Sequence, residues 1–120
     1  MTAKHHHLGM DLRFSYVGEP GEDSDEYFDE FTDRVLDALA DLETADSGLS
    51  APDVTARLAT RELAITMRVE ADTLADARRI FSANVRTALH AAGSGTPGWP
   101  TFRPEGEGLP PARELELQDA

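Results

Sequence analysis

The 120-residue chain has no cysteine, one tryptophan and no apolar run near the roughly 20 residues that cross a membrane. The absence of cysteine excludes a disulfide framework, a Cys-ligated zinc or iron–sulfur site and a thiol nucleophile. The N-terminus lacks the long apolar stretch of a signal peptide. We therefore expect a cytoplasmic protein with no membrane partner.

Positive charge is also scarce. The chain has 11 Lys and Arg residues against 23 Asp and Glu residues, which gives a formal net charge of −12. A general nucleic-acid binder needs a cationic surface that displaces counterions from phosphates, and attachment to anionic lipid needs clustered basic residues. The composition argues against both. Thirteen of the acids lie in residues 11–46, which carry a net charge of −11, whereas residues 47–103 carry +2.

Alternating apolar and polar residues predict the strands. The pattern at residues 12–16 indicates a half-buried first strand, and residues 54–59 and 63–70 predict two more, joined near Thr60 and Arg61. Because this turn lacks the glycine-rich sequence of a tight hairpin, one long bent strand is the alternative. A short last strand is predicted at residues 99–103, and Pro100 confines it to a sheet edge.

Apolar residues at spacings of three and four predict two helices. The first begins after a cap at Asp23 or Ser24, and its apolar stripe is Phe28, Phe31, Val35, Leu39 and Leu42. Acids recur every four residues on another side of this helix, at Asp25, Asp29, Asp33, Asp37 and Asp41. The second helix is capped by Thr73 and ends at Gly93.

The order strand, helix, strand, strand, helix, strand predicts an α+β protein of the ferredoxin-like βαββαβ type. Two helices then pack on one face of an antiparallel sheet and leave the other face open. The outward positions of the strands place an arginine-bearing set on that open face, namely Arg13, Arg57, Arg68, Trp99 and Arg103. Trp99 alternatively fills the gap between the last strand and the second helix.

We expect one domain over residues 11–103, preceded by a disordered lead or tag at residues 1–10. His5, His6 and His7 could bind a transition metal, but a tag remnant, or sequence upstream of a natural start at Met10, is the preferred interpretation. Residues 104–120 form an acidic C-terminal tail that either adds a strand or stays frayed.

Residues 78–81, 91–93 and 98–106 combine an alanine-rich helix with a Trp-Pro edge strand. Over residues 63–106 this sequence resembles the C-terminal half of small, uncharacterised actinobacterial proteins. The resemblance implies the same ferredoxin-like fold, and it implies no activity, catalytic residue or cofactor.

No catalytic motif is present. The chain lacks a Gly-x-Ser-x-Gly elbow and a glycine-rich phosphate loop, and the acidic run at residues 22–26 lacks the spacing of a calcium loop. Cofactor-free oxygenases occur among small ferredoxin-like proteins, and a pocket of that kind would depend on Asn84, His90 or Trp99. We predict that the chain is not an enzyme and that it uses no cofactor and no metal.

Two functions remain. The first is a non-enzymatic interaction or regulatory protein of antitoxin, immunity or accessory type, which binds a basic protein partner through the five aspartates of the first helix. The alternative is a homodimeric, small-ligand-binding regulatory module that uses the arginine-bearing open sheet face.

Overall fold

A computed structural model describes residues 4–18, 21, 23–46, 48–94, 101–106 and 108–115. The fold class is α+β, with two helices and an antiparallel sheet, as predicted. In chain order the elements are β1 (Lys4–Val17), α1 (Asp25–Ala45), β2 (Leu49–Arg57), β3 (Glu62–Ala71), α2 (Leu74–Ala91), β4 (Thr101–Pro104) and β5 (Arg113–Glu114).

The sheet has the strand order β2-β3-β1-β4, and the short β5 also pairs with β1. β1 is long enough to have two partners on one edge, because residues 14–17 pair with β4 and residues 8–9 pair with β5. Its other edge pairs with β3. This order is compatible with the predicted ferredoxin-like arrangement, to which β5 is an addition.

Both helices pack on the same face of the sheet, and every second residue of the central strands is buried beneath them. The core positions of β1 and β3 are at most 4 % exposed, and they are Leu8, Met10, Leu12, Leu63, Ile65, Met67 and Val69, with Phe14 beside them. α1 contributes Phe28, Phe31, Val35 and Leu39, and α2 contributes Ala77, Phe81, Val85, Ala88 and Leu89. The predicted apolar stripe of α1 is therefore confirmed, with Leu42 partly buried at its end.

Local side chains fix the ends of the helices. Ser24 Oγ accepts a hydrogen bond from the Tyr27 amide at 3.1 Å, and Thr73 Oγ1 accepts one from the Asp76 amide at 3.1 Å. Gly93 follows α2 with a φ of +96°, a left-handed backbone that favours glycine. The predicted caps and the predicted stop are confirmed.

The prediction of an unstructured lead is wrong from Lys4 onward, because this segment is the first half of β1. Leu8 is fully buried, and the side chain of His6 lies on the same inner face. Gly9 lies where a Cβ would be 3.1 Å from Leu115 Cδ1. The fold therefore begins before residue 11, and the histidines belong to it.

The predicted domain end at residue 103 is also too early. Pro104 belongs to β4, Ala112 is only 4 % exposed, and Arg113 and Glu114 form β5. Of the two outcomes considered for the tail, an added strand is therefore present. Trp99 and Pro100, which the sequence assigned to the last strand, lie outside the described residues.

β2 and β3 are separate strands with Thr60 and Arg61 in their turn, so the hairpin is confirmed and the single bent strand is not. β2 begins earlier than predicted, and its register shifts between Ser50 and Asp53. No helix in the described part of the chain combines the length and the apolar character needed to cross a bilayer.

Candidate interaction surfaces

Four aspartates of α1 form an exposed row, here called the acidic row: Asp29, Asp33, Asp37 and Asp41. At 1.5 Å per residue the row is about 18 Å long, and each step of four residues turns it by about 40° around the helix. None of the four forms an ion pair with a described residue. The predicted row therefore presents four carboxylates that have no ion-pair partner among the described residues.

Asp25, the fifth aspartate of the prediction, differs from the other four because Arg61 binds it. Arg61 Nη1 donates to Asp25 Oδ1 at 2.7 Å, and Arg61 Nε donates to Asp23 Oδ1 at 2.9 Å. Nη1 also donates to the backbone oxygen of Leu58. Asp25 thus joins the β2–β3 turn to the first turn of α1.

The hydrogen bond to Asp25 is the main reason that the pKa of the Arg61 guanidinium is raised above its ordinary value. Burial opposes this rise, and the hydrogen bond to Asp23 adds to it. The guanidinium carbon also lies 5.6 Å from the centre of the Phe28 ring and 6.0 Å from that of Phe102, within cation–π range. Arg61 therefore stays charged while it contacts the aromatic core.

Across the open face of the sheet, Glu62 lies between two arginines. It is the cross-strand partner of Arg13 on β1 and of Arg57 on β2. Arg13 Nη2 donates to Glu62 Oε1 at 3.1 Å. This hydrogen bond, with a smaller contribution from Thr60 and the charge of Arg57, lowers the pKa of the Glu62 carboxyl. Two of the predicted arginines are therefore partly neutralised.

The other predicted arginines have different neighbours. Arg68 is exposed, and its cross-strand partners are His7 and Ser50 rather than acids. Arg103 is exposed on β4 opposite Ser15, whose hydroxyl donates to Glu105 Oε1 at 2.9 Å. The structure thus brings Arg13, Arg57 and Arg68 together on one face, with Arg103 at its β4 edge, and Trp99 lies outside the described residues.

Sequence reasoning missed the acids that share this face. Arg113 Nη2 donates to Asp11 Oδ2 at 2.8 Å, which is a second ion pair across neighbouring strands. Among the described residues, the face and its β4 edge hold five arginines and five acids, namely Arg13, Arg57, Arg68, Arg103, Arg113, Asp11, Asp53, Glu62, Glu70 and Glu105. The strand alternation that located the arginines also locates most of these acids. The face has mixed charge and is not a cationic patch.

The histidine run does not converge on one point, because successive side chains of β1 point to opposite faces. His6 Nε2 lies 3.2 Å from the backbone oxygen of Ala71, and its Nδ1 lies 3.6 Å from Glu114 Oε2. His7 Nδ1 is buried and has no hydrogen-bond partner among the described atoms. Within the described ranges, no three histidines, aspartates or glutamates are grouped as metal ligands.

The two described residues considered for a catalytic pocket lie on α2. Asn84 Nδ2 donates to the backbone oxygen of Ile80 at 2.8 Å, so its amide is bound to its own helix. His90 is exposed in the last turn of the helix. The pocket that His90 lines does not include Asn84 among its described lining residues.

Comparison of the chain with protein-family models, with curated proteins and with solved structures finds no match. The function must therefore be inferred from the surfaces themselves.

Proposed function

We propose that this chain is a non-enzymatic interaction protein that binds a basic protein partner through the acidic row of α1. The observation that supports the proposal is that Asp29, Asp33, Asp37 and Asp41 are exposed and form no ion pair with a described residue. Charges that stabilise a fold are usually paired, whereas unpaired charges of one sign accelerate the encounter with an oppositely charged partner. In its finer detail we take the fold to be a ferredoxin-like one extended by β5.

The proposal is tested with the full chain as bait in its source cells at low salt, followed by binding measurements on the purified partner. Changing Asp29, Asp33 and Asp37 together to Asn should weaken binding at least tenfold, mainly by slowing association, and should not destabilise the fold. The matched control changes three exposed acids elsewhere, Asp53→Asn, Glu70→Gln and Asp72→Asn. If both variants lost the same affinity for the partner, binding would depend on net charge alone, and α1 would be rejected as the binding site.

The second candidate is a homodimer that uses the open sheet face, and the balanced charge of that face favours it. A twofold interface is built from the same patch on both copies, so the patch must be complementary to itself. The five arginines and five acids described on this face and its β4 edge meet that requirement better than a face of one sign. A small ligand would then bind at the interface.

Molar mass measured by light scattering tests this candidate. Changing Arg57 and Arg68 together to Ala should convert a dimer into a monomer, while the Asn variant of the acidic row stays dimeric. A wild-type chain that is monomeric at high concentration, or a dimer that survives the double change, would reject it.

A further inference from the structure

A pocket of about 310 Å³ lies between the C-terminal half of α2 and the chain that follows Phe102. α2 provides Arg86, Leu89 and His90, and the later segment provides Arg103 and Leu109. The volume is at the lower end of the roughly 300–1,000 Å³ of small-molecule sites. The pocket involves neither the acidic row nor the two ion pairs of the open face, and it shares with that face only Arg103, at the β4 edge.

The walls of the pocket are mainly apolar. Leu89 is only 4 % exposed, and Leu109 packs against the core. Between Pro104 and Leu109 the chain turns through Gly106 and Gly108, whose φ angles of +88° and +74° are left-handed. Gly106 and Gly108 line the pocket together with Leu109, opposite Leu89 of α2, so the pocket has hydrocarbon on both sides.

The charged part of the pocket is cationic. Arg86 and Arg103 line it beside the polar His90 and Ser94, and no described carboxylate does. Neither arginine forms an ion pair with a described residue, which is also true of Arg57, Arg68 and Arg78 but not of Arg13, Arg61 and Arg113. In a chain with 23 acids and 11 basic residues, two arginines at one pocket that no described acid lines depart from the overall charge balance.

We propose that this pocket binds a small organic anion, with a carboxylate or phosphate group on an apolar body. Guanidinium groups match both anions in shape and donate paired hydrogen bonds to them. The body would lie against Leu89 and Leu109. This site is additional to the proposed partner surface of α1, and neither depends on the other.

The C-terminus of α2 works against an anion, since the helix dipole places about half a negative charge there. Two full positive charges outweigh that partial charge. The last carbonyls are also occupied, because Gly93 N donates to the backbone oxygen of His90 at 3.0 Å and Ser94 N donates to that of Leu89 at 2.9 Å.

The test titrates the full chain with phenyl phosphate, benzoate and the uncharged benzamide, and follows backbone amide shifts by NMR. We expect both anions to move the amides of Leu89, His90 and Leu109 in a saturable way at millimolar concentrations, and benzamide to bind at least about tenfold more weakly. Inorganic phosphate, which lacks the apolar body, should also bind more weakly than phenyl phosphate.

Two variants decide the role of the arginines. Arg86→Gln combined with Arg103→Gln should weaken phenyl phosphate binding at least about tenfold. The matched control, Arg78→Gln, changes an exposed arginine of α2 outside the pocket and should leave binding unchanged. The proposal is overturned if neither anion binds, if benzamide binds as well as benzoate, or if the double variant keeps wild-type affinity. The amide shifts outside the pocket show in each case that the variant is folded.

Discussion

Arg61 Nη1 lies 2.7 Å from Asp25 Oδ1, and this contact joins the β2–β3 turn to the start of α1. The same guanidinium binds Asp23 and lies over the ring of Phe28. One side chain therefore links a turn, a helix terminus and the aromatic core. Arg61 also has a left-handed backbone, with a φ of +53°.

Changing Arg61 to Ala should lower the free energy of unfolding by about 1–2 kcal/mol. Each ion pair contributes little, because the Asp23 and Asp25 side chains are 41 % and 65 % exposed, and the cation–π contacts add a further fraction. Urea unfolding measures the loss. Arg61→Ala keeps a Cβ in the left-handed backbone and so isolates the missing side chain, whereas the companion variant Arg61→Gly also relieves that backbone and should lose less stability. Wild-type stability in both variants would contradict the role given to Arg61.

Glu62 gives the fold a pH dependence. The hydrogen bond from Arg13 is the main reason that the pKa of the Glu62 carboxyl is lower in the folded state than in the unfolded state. The ionised carboxylate therefore stabilises the fold at pH values above the unfolded pKa of about 4.3. This stabilisation is lost as the pH falls through the lowered pKa of the folded state. Glu62→Gln should therefore unfold at a lower temperature than the wild type at pH 7, with the difference fading towards pH 3. Glu30→Gln, a change at an exposed helical acid, is the control. A difference that is the same at both pH values would contradict the assignment.

Sequence periodicity predicted the segments whose own apolar pattern is uninterrupted, and it missed those whose place in the sheet depends on a contact with a distant residue. Leu12, Phe14 and Tyr16 alternate with polar residues in an uninterrupted pattern. His6, Leu8 and Met10 continue it, but a histidine run and a glycine concealed the pattern. Gly9 is packed against Leu115, more than a hundred residues later, and no local pattern indicates such a contact.

The candidate surfaces follow the same division. The acidic row follows from helical spacing within α1 alone, so the sequence located it. The Asp11–Arg113 pair needs β5 beside β1, and the pocket beside Arg86 needs the turn at Gly106 and Gly108. Both depend on where the tail packs, which local periodicity does not determine.

The N-terminal half of β1 makes a direct prediction about truncation. A chain that begins at Met10 loses Leu8, which is fully buried and would contribute about 1.5–3 kcal/mol, and it also loses the pairs of Lys4 through Gly9 with β3. We expect this chain to unfold with a much lower midpoint or without a cooperative transition. Removing only residues 1–3 is the control. Equal stability of all three chains, measured by thermal circular dichroism, would contradict the assignment of residues 4–9 to the sheet.

Phe102 tests whether β4 is part of the core. Its ring is fully buried, with centroids 4.8 Å from Phe28 and 5.3 Å from Tyr16. Phe102→Ala should cost about 3–5 kcal/mol, because it leaves a cavity among aromatic rings, and Phe102→Leu should cost less. Thr101 is the neighbouring control, since Thr101→Ser removes one methyl group. A Phe102→Ala variant within 1 kcal/mol of the wild type, a bound set by the typical cost of core truncation, would show that β4 is not packed there.

The acidic row should destabilise the very helix that carries it. Asp33 lies four residues from both Asp29 and Asp37, and like charges at this spacing cost about 0.2–0.5 kcal/mol per pair. Asp33→Asn removes two such pairs and should stabilise the fold by about 0.4–1 kcal/mol at low salt. The gain should shrink as salt screens the repulsion, which thermal unfolding at two ionic strengths measures. Asp53→Asn, which lies off the helix, should show no such gain. If the row evolved to bind a basic partner, this Asn variant combines higher stability with weaker binding, whereas a variant that loses stability would show that Asp33 has a structural role.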